Sequence, residues 1–206
     1  KGRRGLPLRR RRAYARRMVT IAAFYRFAEL ADPAGLRDAL AALGREVGVR
    51  GTVLLAAEGV NGTIAGSEAD VARMLDRLSA EPGLGPLRET RAEAGEMPFS
   101  RLKVRVKPEI VTMGRPELRP ADSAGTYVPP EAWNAFVSAP DVALIDTRNA
   151  YEVALGTFVG AIDPGIDRFA DFPAWWAANA HRFAGRRVAM FCTGGIRCEK
   201  STALLR

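Results

Sequence analysis

Residues 188–200 (VAMFCTGGIRCEK) compress a strand, a sharp turn and a helix start into one short run. Val188 to Phe191 is continuously apolar, the chain turns at Thr193-Gly194-Gly195, and Glu199 to Arg206 has the composition of a helix. A second apolar run, Val142 to Ile145 (VALI), ends at Asp146-Thr147-Arg148-Asn149. Strands without polar alternation belong in parallel sheets covered on both faces. Alternating with helices, they predict a three-layer α/β domain whose functional groups gather at the carboxyl ends of the strands.

At that end sits Cys192. The backbone N–H groups of Gly194, Gly195 and Ile196, the charge of Arg197 and the positive end of the following helix all favour an anion there, which lowers a thiol pKa. A lone cysteine after a strand is otherwise a small buried hydrophobe. Two glycines and an arginine at this spacing turn the reading towards a reactive site, because glycines let backbone close around a ligand and cost stability otherwise. Four residues separate Cys192 from Arg197, one fewer than in the loops of tyrosine and dual-specificity phosphatases. The shorter loop resembles that of the rhodanese superfamily, which implies a cysteine able to carry sulfur as a persulfide. Cys198 either resolves an oxidised or persulfidated Cys192 or simply faces the core.

The formal charge of +8 is concentrated at one end. Residues 1–17 hold nine Lys and Arg and no acid, and the other 22 bases nearly balance 23 acids. This stretch reads either as an arm for nucleic acid or as a disordered leader outside the fold, with Met18 as the natural start; the second is the expectation. No run of about 20 apolar residues offers a membrane span. Two cysteines six positions apart cannot staple a chain of 206 residues, and no metal-ligand cluster is visible. A soluble, cytoplasmic protein in a reducing compartment is expected, with no membrane association.

Ahead of the cysteine domain, residues 18–107 follow a β-α-β-β-α-β order. Val19 to Phe27 is a strand; Asp32-Pro33 caps a helix over 33–47 ended by Gly48; Val49 to Ala57 and Thr63 to Ala65 are strands around a turn at 58–62. Ser67 and Asp70 open a second helix, Leu87 to Arg91 is a short edge strand, and Phe99 to Lys107 is the last strand. The order predicts a ferredoxin-like α+β domain, an antiparallel sheet with two helices on one face. Arg101, Lys103, Arg105 and Lys107 share one side of the last strand. They either track an RNA backbone or form a solvated, charge-protected edge. Residues 108–125 read as a linker and 126–206 as the second domain.

In the second domain Pro129-Pro130 opens a short helix, Asp146 either orients the site or caps the turn beyond it, and Arg148 pairs with Asp146 or Glu152. A helix within 166–183 carries Phe172, Trp175, Trp176 and Phe183 as core. His181, the only histidine, is expected on the surface near that helix's end. The domain is expected to be incomplete at its C-terminus, since only a short helix follows the cysteine loop.

Asp146-x-Arg148, Glu152, Gly156, Gly160-Ala161 and the Cys192-x4-Arg197 loop resemble a rhodanese domain. Together with AAEGVNGTIAG (56–66), RLKVRVKPEIVTMG (101–114) and CTGGIRCEK (192–200), the chain from Met18 onward resembles the bacterial tRNA uridine(34) hydroxylase family. The resemblance implies oxygen-dependent conversion of the wobble uridine of tRNA to 5-hydroxyuridine. Cys192 would be the essential cysteine, molecular oxygen a co-substrate and the tRNA anticodon region the partner. The family's further strand, helix and cysteine-rich region are not in this chain, and Thr157 stands where a rhodanese Gly-His turn has histidine. No flavin, haem or non-haem iron signature is visible, so no resident cofactor is assigned, and no stable protein partner is inferred. Two other readings stay open: a sulfurtransferase working through a Cys192 persulfide, and a non-catalytic RNA-binding protein.

Overall fold

The computed structural model describes residues 18–206; the leader expected over 1–17 lies outside the described residues. Strand β1 (Val19–Phe27) leads into helix α1 (Pro33–Val47), then β2 (Arg50–Ala56), β3 (Gly59–Gly66), α2 (Glu68–Ser79), β4 (Arg88–Ala94) and β5 (Leu102–Val106). The helix ends are those the sequence signals. Asp32 accepts from the Gly35 N–H with Pro33 in the first turn, Gly48 closes α1 in the left-handed region, and Ser67 accepts from the Asp70 N–H.

The five strands lie in the order β4-β1-β3-β2-β5. The first four pair antiparallel in the ferredoxin-like manner, but β5 runs parallel to β2. The sheet is therefore mixed, a correction to the antiparallel expectation. Of the residues expected at 87–91, 88–91 belong to a full seven-residue strand beside β1 that completes the ferredoxin-like set. This leaves 102–106 as an added edge. The turn between β2 and β3 is also tighter than expected: Ala56 pairs with Gly59, leaving only Ala57 and Glu58 to turn. Gly59 serves the strand rather than the turn, since a Cβ there would lie 2.0 Å from the Arg26 carbonyl oxygen on β1.

Helices α1 and α2 cover one face of this sheet. Leu40, Val53, Ile64, Met74 and Leu78 are wholly buried between them, each contributing roughly 1.5–3 kcal/mol by leaving water. On the other face the strand register lines up Ala23, Thr63 and Thr52 with Lys103. That face is half open except where Tyr25, Phe27 and Ala56 are covered by Ile110, Val111 and Ile196.

The segment read as a linker is not free. Glu109, Ile110 and Met113 are buried, and the Asn61 Nδ2 donates to the Ile110 carbonyl at 2.9 Å. The apolar Ile110 and Met113 are drawn into the junction because both halves of the chain offer them cover.

Short helices α3 (Pro120–Ser123) and α4 (Pro130–Val137) follow, then β6 (Val142–Asp146), α5 (Ala150–Val153), α6 (Phe172–Asn179), β7 (Arg187–Phe191) and α7 (Ile196–Leu204). β6 and β7 pair parallel, and Ile162 adds an isolated bridge to Ile145. Val142, Leu144 and Ala189 face α4, whereas Ala143, Ile145 and Met190 face the cluster of Phe169, Phe172 and Phe183. Three layers result, as continuous apolar strands require. The aromatic stripe is core, with Trp176 stacked on Phe183 at 5.4 Å. Its α-helix is shorter than expected, because Pro173 holds its first turn and single 3₁₀ turns flank it at 169–171 and 180–183. His181 lies exposed on the second of these. Among the described residues no helix is long and apolar enough to cross a membrane.

Candidate active site

Strand β7 delivers Cys192 to the carboxyl end of the parallel pair. There the Thr147 N–H and Oγ1 both donate to the Phe191 carbonyl, at 3.1 and 3.0 Å. The chain then turns through Thr193 and Gly194 to Gly195, whose φ of +89° is open to glycine and strained for other residues. That turn starts α7 three residues earlier than its composition suggested. Ile196, Arg197 and Cys198, expected in the loop, form the first turn of the helix.

The result is a pocket for a thiolate. The Gly195 N–H donates to Cys192 Sγ at 3.0 Å. A hydrogen bond from the Cys198 thiol is the largest influence holding the Cys192 pKa far below the ordinary thiol value. The amides of Cys198 and Gly194 and the Arg197 charge act the same way, against burial that pushes it up. The Cys198 thiol moves in the opposite direction because it is the donor to Cys192 and is buried. Its Sγ also lies 3.7 Å from Thr147 Oγ1, and it packs against the α6 cluster. Cys198 thus packs against the core while lying beside Cys192.

Arg197 does not close over the thiol as a free cation. Its Nη1 and Nη2 form a two-pronged pair with Glu152, at 2.6 and 2.8 Å, and Nη2 reaches Thr193 Oγ1 at 3.2 Å. Thr193 Oγ1 donates in turn to Glu152 at 2.8 Å. The Arg197 hydrogen bonds bring the Glu152 carboxyl down to about 2. Glu152 is thus the brace of the loop, tying α5 to α7. The partner of Arg148 is Asp146, at 2.7 Å.

Asp146 is fully buried and accepts from Arg148 and, at 2.8 Å, from Thr157 Oγ1. It fixes Arg148 and the 156–157 turn rather than facing the thiol. With Arg148 so held, a cavity of about 420 Å³ opens between Arg148, Gly156, Thr157, Phe158, Phe191 and Cys192. Phe158 and Phe191 meet edge to face at 4.8 Å, and the Arg148 guanidinium lies 5.5 Å from the centre of the Phe191 ring. Gly194 is exposed at the loop tip, and the Ile196 side chain turns away into the cluster of Tyr25 and Phe27. Arg101, Lys103, Arg105 and Lys107 line no part of this cavity; Lys103 and Arg105 lie at the far edge of the helix-free sheet face.

Some contributors carried no sequence signal. Phe158 and Phe191 read as ordinary apolar residues of a turn and a strand. Tyr25, from β1, brings its Oη to Glu199 Oε1 at 2.8 Å. Lys200, Glu58 and Glu109 form a buried charge cluster joining α7 to the first sheet. Each pairing spans more than ninety residues of chain, so no local pattern announces it.

Residues 19–110 match the family described as UPF0176 acylphosphatase like domain, in accord with the ferredoxin-like expectation. Over 189 residues the chain is 57% identical to a tRNA uridine(34) hydroxylase of Jannaschia sp. (strain CCS1), covering 92% of this chain and 62% of that protein. Proteins of the same name from Roseobacter denitrificans and Caulobacter vibrioides are 54% and 55% identical over 91% and 90% of this chain, and over 64% and 61% of their own lengths. The chain thus spans a little over three-fifths of the length of the curated relatives it matches. At this identity over nine-tenths of its length, the chain is similar to proteins named tRNA uridine(34) hydroxylase, as its motifs suggested.

Proposed function

We propose that this protein takes part in hydroxylating the wobble uridine of tRNA at C5, in the cytoplasm, with Cys192 as the covalent catalyst and molecular oxygen as co-substrate. The observation that carries the reading is a thiolate-favouring Cys192 at the wall of an aromatic cavity, in a chain 57% identical to a protein named for that activity. A thiolate adds to C6 of uracil, forming the S–C6 bond and moving the C5–C6 electron pair towards the O4 carbonyl. C5 is then electron-rich and open to oxygenation, and loss of its proton with expulsion of Cys192 restores the double bond. One oxygen atom enters the C5–H bond; the other leaves as water, which requires two electrons and two protons from an external reductant.

The cavity suits this use. A volume near 420 Å³ accommodates a pyrimidine nucleoside, and Phe158 and Phe191 offer stacking surface of the kind that holds unstacked bases, worth about 1–3 kcal/mol per base. The rhodanese-like character of the second domain belongs to this reading. So does the use of the helix-free sheet face as the path for RNA: it runs from Lys103 and Arg105 across Thr52, Thr63 and Ala23, beside Tyr25 at the cysteine loop.

The test is mass spectrometry of tRNA nucleosides from a strain lacking the gene, complemented with wild type, Cys192→Ser or Phe158→Ala. Restoration of 5-hydroxyuridine by wild type, its absence with Cys192→Ser and a reduced level with Phe158→Ala are expected. An unchanged nucleoside in every strain would overturn the reading and leave persulfide sulfur transfer as the chemistry to pursue.

A further inference from the structure

The loop that holds the thiolate is completed by the other half of the molecule. Tyr25 lies near the end of β1, 7% exposed, in the cluster of Phe27, Ala56 and Ile110 that also receives Ile196 of α7. Its hydroxyl touches the first turn of α7 at both ends. Tyr25 Oη donates to Glu199 Oε1 at 2.8 Å, and Arg88 Nε holds the same carboxylate oxygen at 3.3 Å. At the other end, a Cβ placed on Gly195 would lie 2.6 Å from Tyr25 Oη, so this hydroxyl occupies the space a side chain at 195 would need. The Gly195 N–H is the one 3.0 Å from Cys192 Sγ, and the Gly195 carbonyl accepts the Glu199 N–H at 3.1 Å.

We propose that Tyr25 is a positioning residue of the cysteine site: its hydroxyl, tied to Glu199, packs against Gly195 and keeps that amide on Cys192 Sγ. The arrangement makes the ferredoxin-like domain part of the reactive centre rather than a separate RNA-binding appendage. An amide aimed at a developing or resident anion contributes through its fixed orientation, which is lost once the backbone is free to turn away. Burial pushes the Tyr25 hydroxyl pKa up, with the Glu199 contact adding to it, so it remains a neutral donor throughout the range in which the thiol titrates.

The charged and titratable groups around Cys192 come from several elements. Arg197 and Cys198 lie on α7, Arg148 follows β6, Glu152 acts through Arg197 from α5, and Tyr25 with Glu199 and Arg88 stand at the junction. Replacing Tyr25 by phenylalanine keeps the ring in its apolar cluster, alters no formal charge and removes only the hydroxyl. The inference concerns the thiol itself and stands whether or not the substrate is a uridine.

The experiment is the pH dependence of Cys192 alkylation by iodoacetamide in the wild-type protein and in Tyr25→Phe. Tryptic peptides analysed by mass spectrometry give the readout, because cleavage after Arg197 separates Cys192 from Cys198. The expected result is a midpoint shifted up by about one pH unit. Below the wild-type midpoint the Tyr25→Phe rate falls about tenfold, while the plateau at high pH is unchanged, since each unit is a tenfold change in thiolate fraction. Hydrogen exchange of the Gly195 amide, followed by NMR on the same samples, is expected to lose about tenfold in protection. A merely structural Tyr25 leaves the titration midpoint where it is. Superimposable alkylation profiles, or unchanged Gly195 protection, overturn the proposal.

Discussion

The ammonium of Lys200, on α7, lies 2.7 Å from Glu58 Oε2 in the tight turn between β2 and β3, and neither side chain is more than 4% exposed. A second carboxylate, Glu109 Oε1, lies 2.7 Å from the same nitrogen. Burial pushes the Glu58 pKa up despite Lys200, which pulls it down. Glu109 is pushed up by burial too, but Lys200 and the amides of Gly114 and Arg115 outweigh this and leave it below its usual value. The helix behind the reactive loop is thus anchored by charge inside the first sheet's territory.

Removing that anchor is expected to be costly. Lys200→Met leaves two carboxylates buried without a cation, and losing one partner of a buried ionic cluster costs about 3–5 kcal/mol. Adding Glu58→Gln and Glu109→Gln to Lys200→Met is expected to recover most of the loss, because no buried charge then lacks a counter-charge. Urea unfolding of the single and triple variants checks this; a loss below about 1 kcal/mol for Lys200→Met would contradict it.

Cys192 is expected to be alkylated with a midpoint well below the ordinary thiol value of about 8.5. Cys198→Ala removes the thiol that contributes most to lowering the Cys192 pKa. Its midpoint is expected to rise by about one unit or more, with no loss of reactivity at high pH. The same mass-spectrometric titration reads both proteins, and an unshifted Cys198→Ala profile would refute the assignment.

Glu152 braces the loop through Arg197 and Thr193. Its pKa is lowered in the folded state to about 2, so the folded chain binds its proton more weakly than the unfolded one. The stabilisation is complete above the unfolded value near 4.3 and is lost as pH falls towards 2. Wild type is expected to exceed Glu152→Gln in stability by up to about 3 kcal/mol at pH 6, and this gap narrows steadily below pH 4.5. Denaturant midpoints at several pH values measure it; a gap independent of pH would show that the carboxylate's charge is not what matters.

If the helix-free sheet face carries RNA, Lys103→Glu with Arg105→Glu weakens tRNA binding while leaving Cys192 alkylation unchanged. The slope of log affinity against log salt is expected to shrink by about 1.4, near 0.7 for each single-stranded phosphate contact removed. Binding measured at several salt concentrations decides it. Equal slopes for variant and wild type would return these residues to the role of a solvated edge.

The sequence by itself determined much of the local structure. The caps at Asp32 and Ser67, the apolar strand at 142–145 and the cysteine between strand and glycine turn were all legible, because each depends on neighbours a few residues away. The motifs at 56–66, 101–114 and 192–200 also carried the resemblance to the tRNA uridine(34) hydroxylases. Long-range pairing was decided only by the tertiary structure. That β5 joins β2 in parallel follows from pairing within the first sheet, and the burial of Glu109, Ile110 and Met113 follows from packing across the junction. The tertiary structure also made Glu152 the partner of Arg197, with Asp146 taking Arg148. The tyrosine that touches the reactive loop stands 170 positions before Gly195. Hydrogen bonds and desolvated charges depend on distances of about 3 Å, and only the folded chain brings such residues that close.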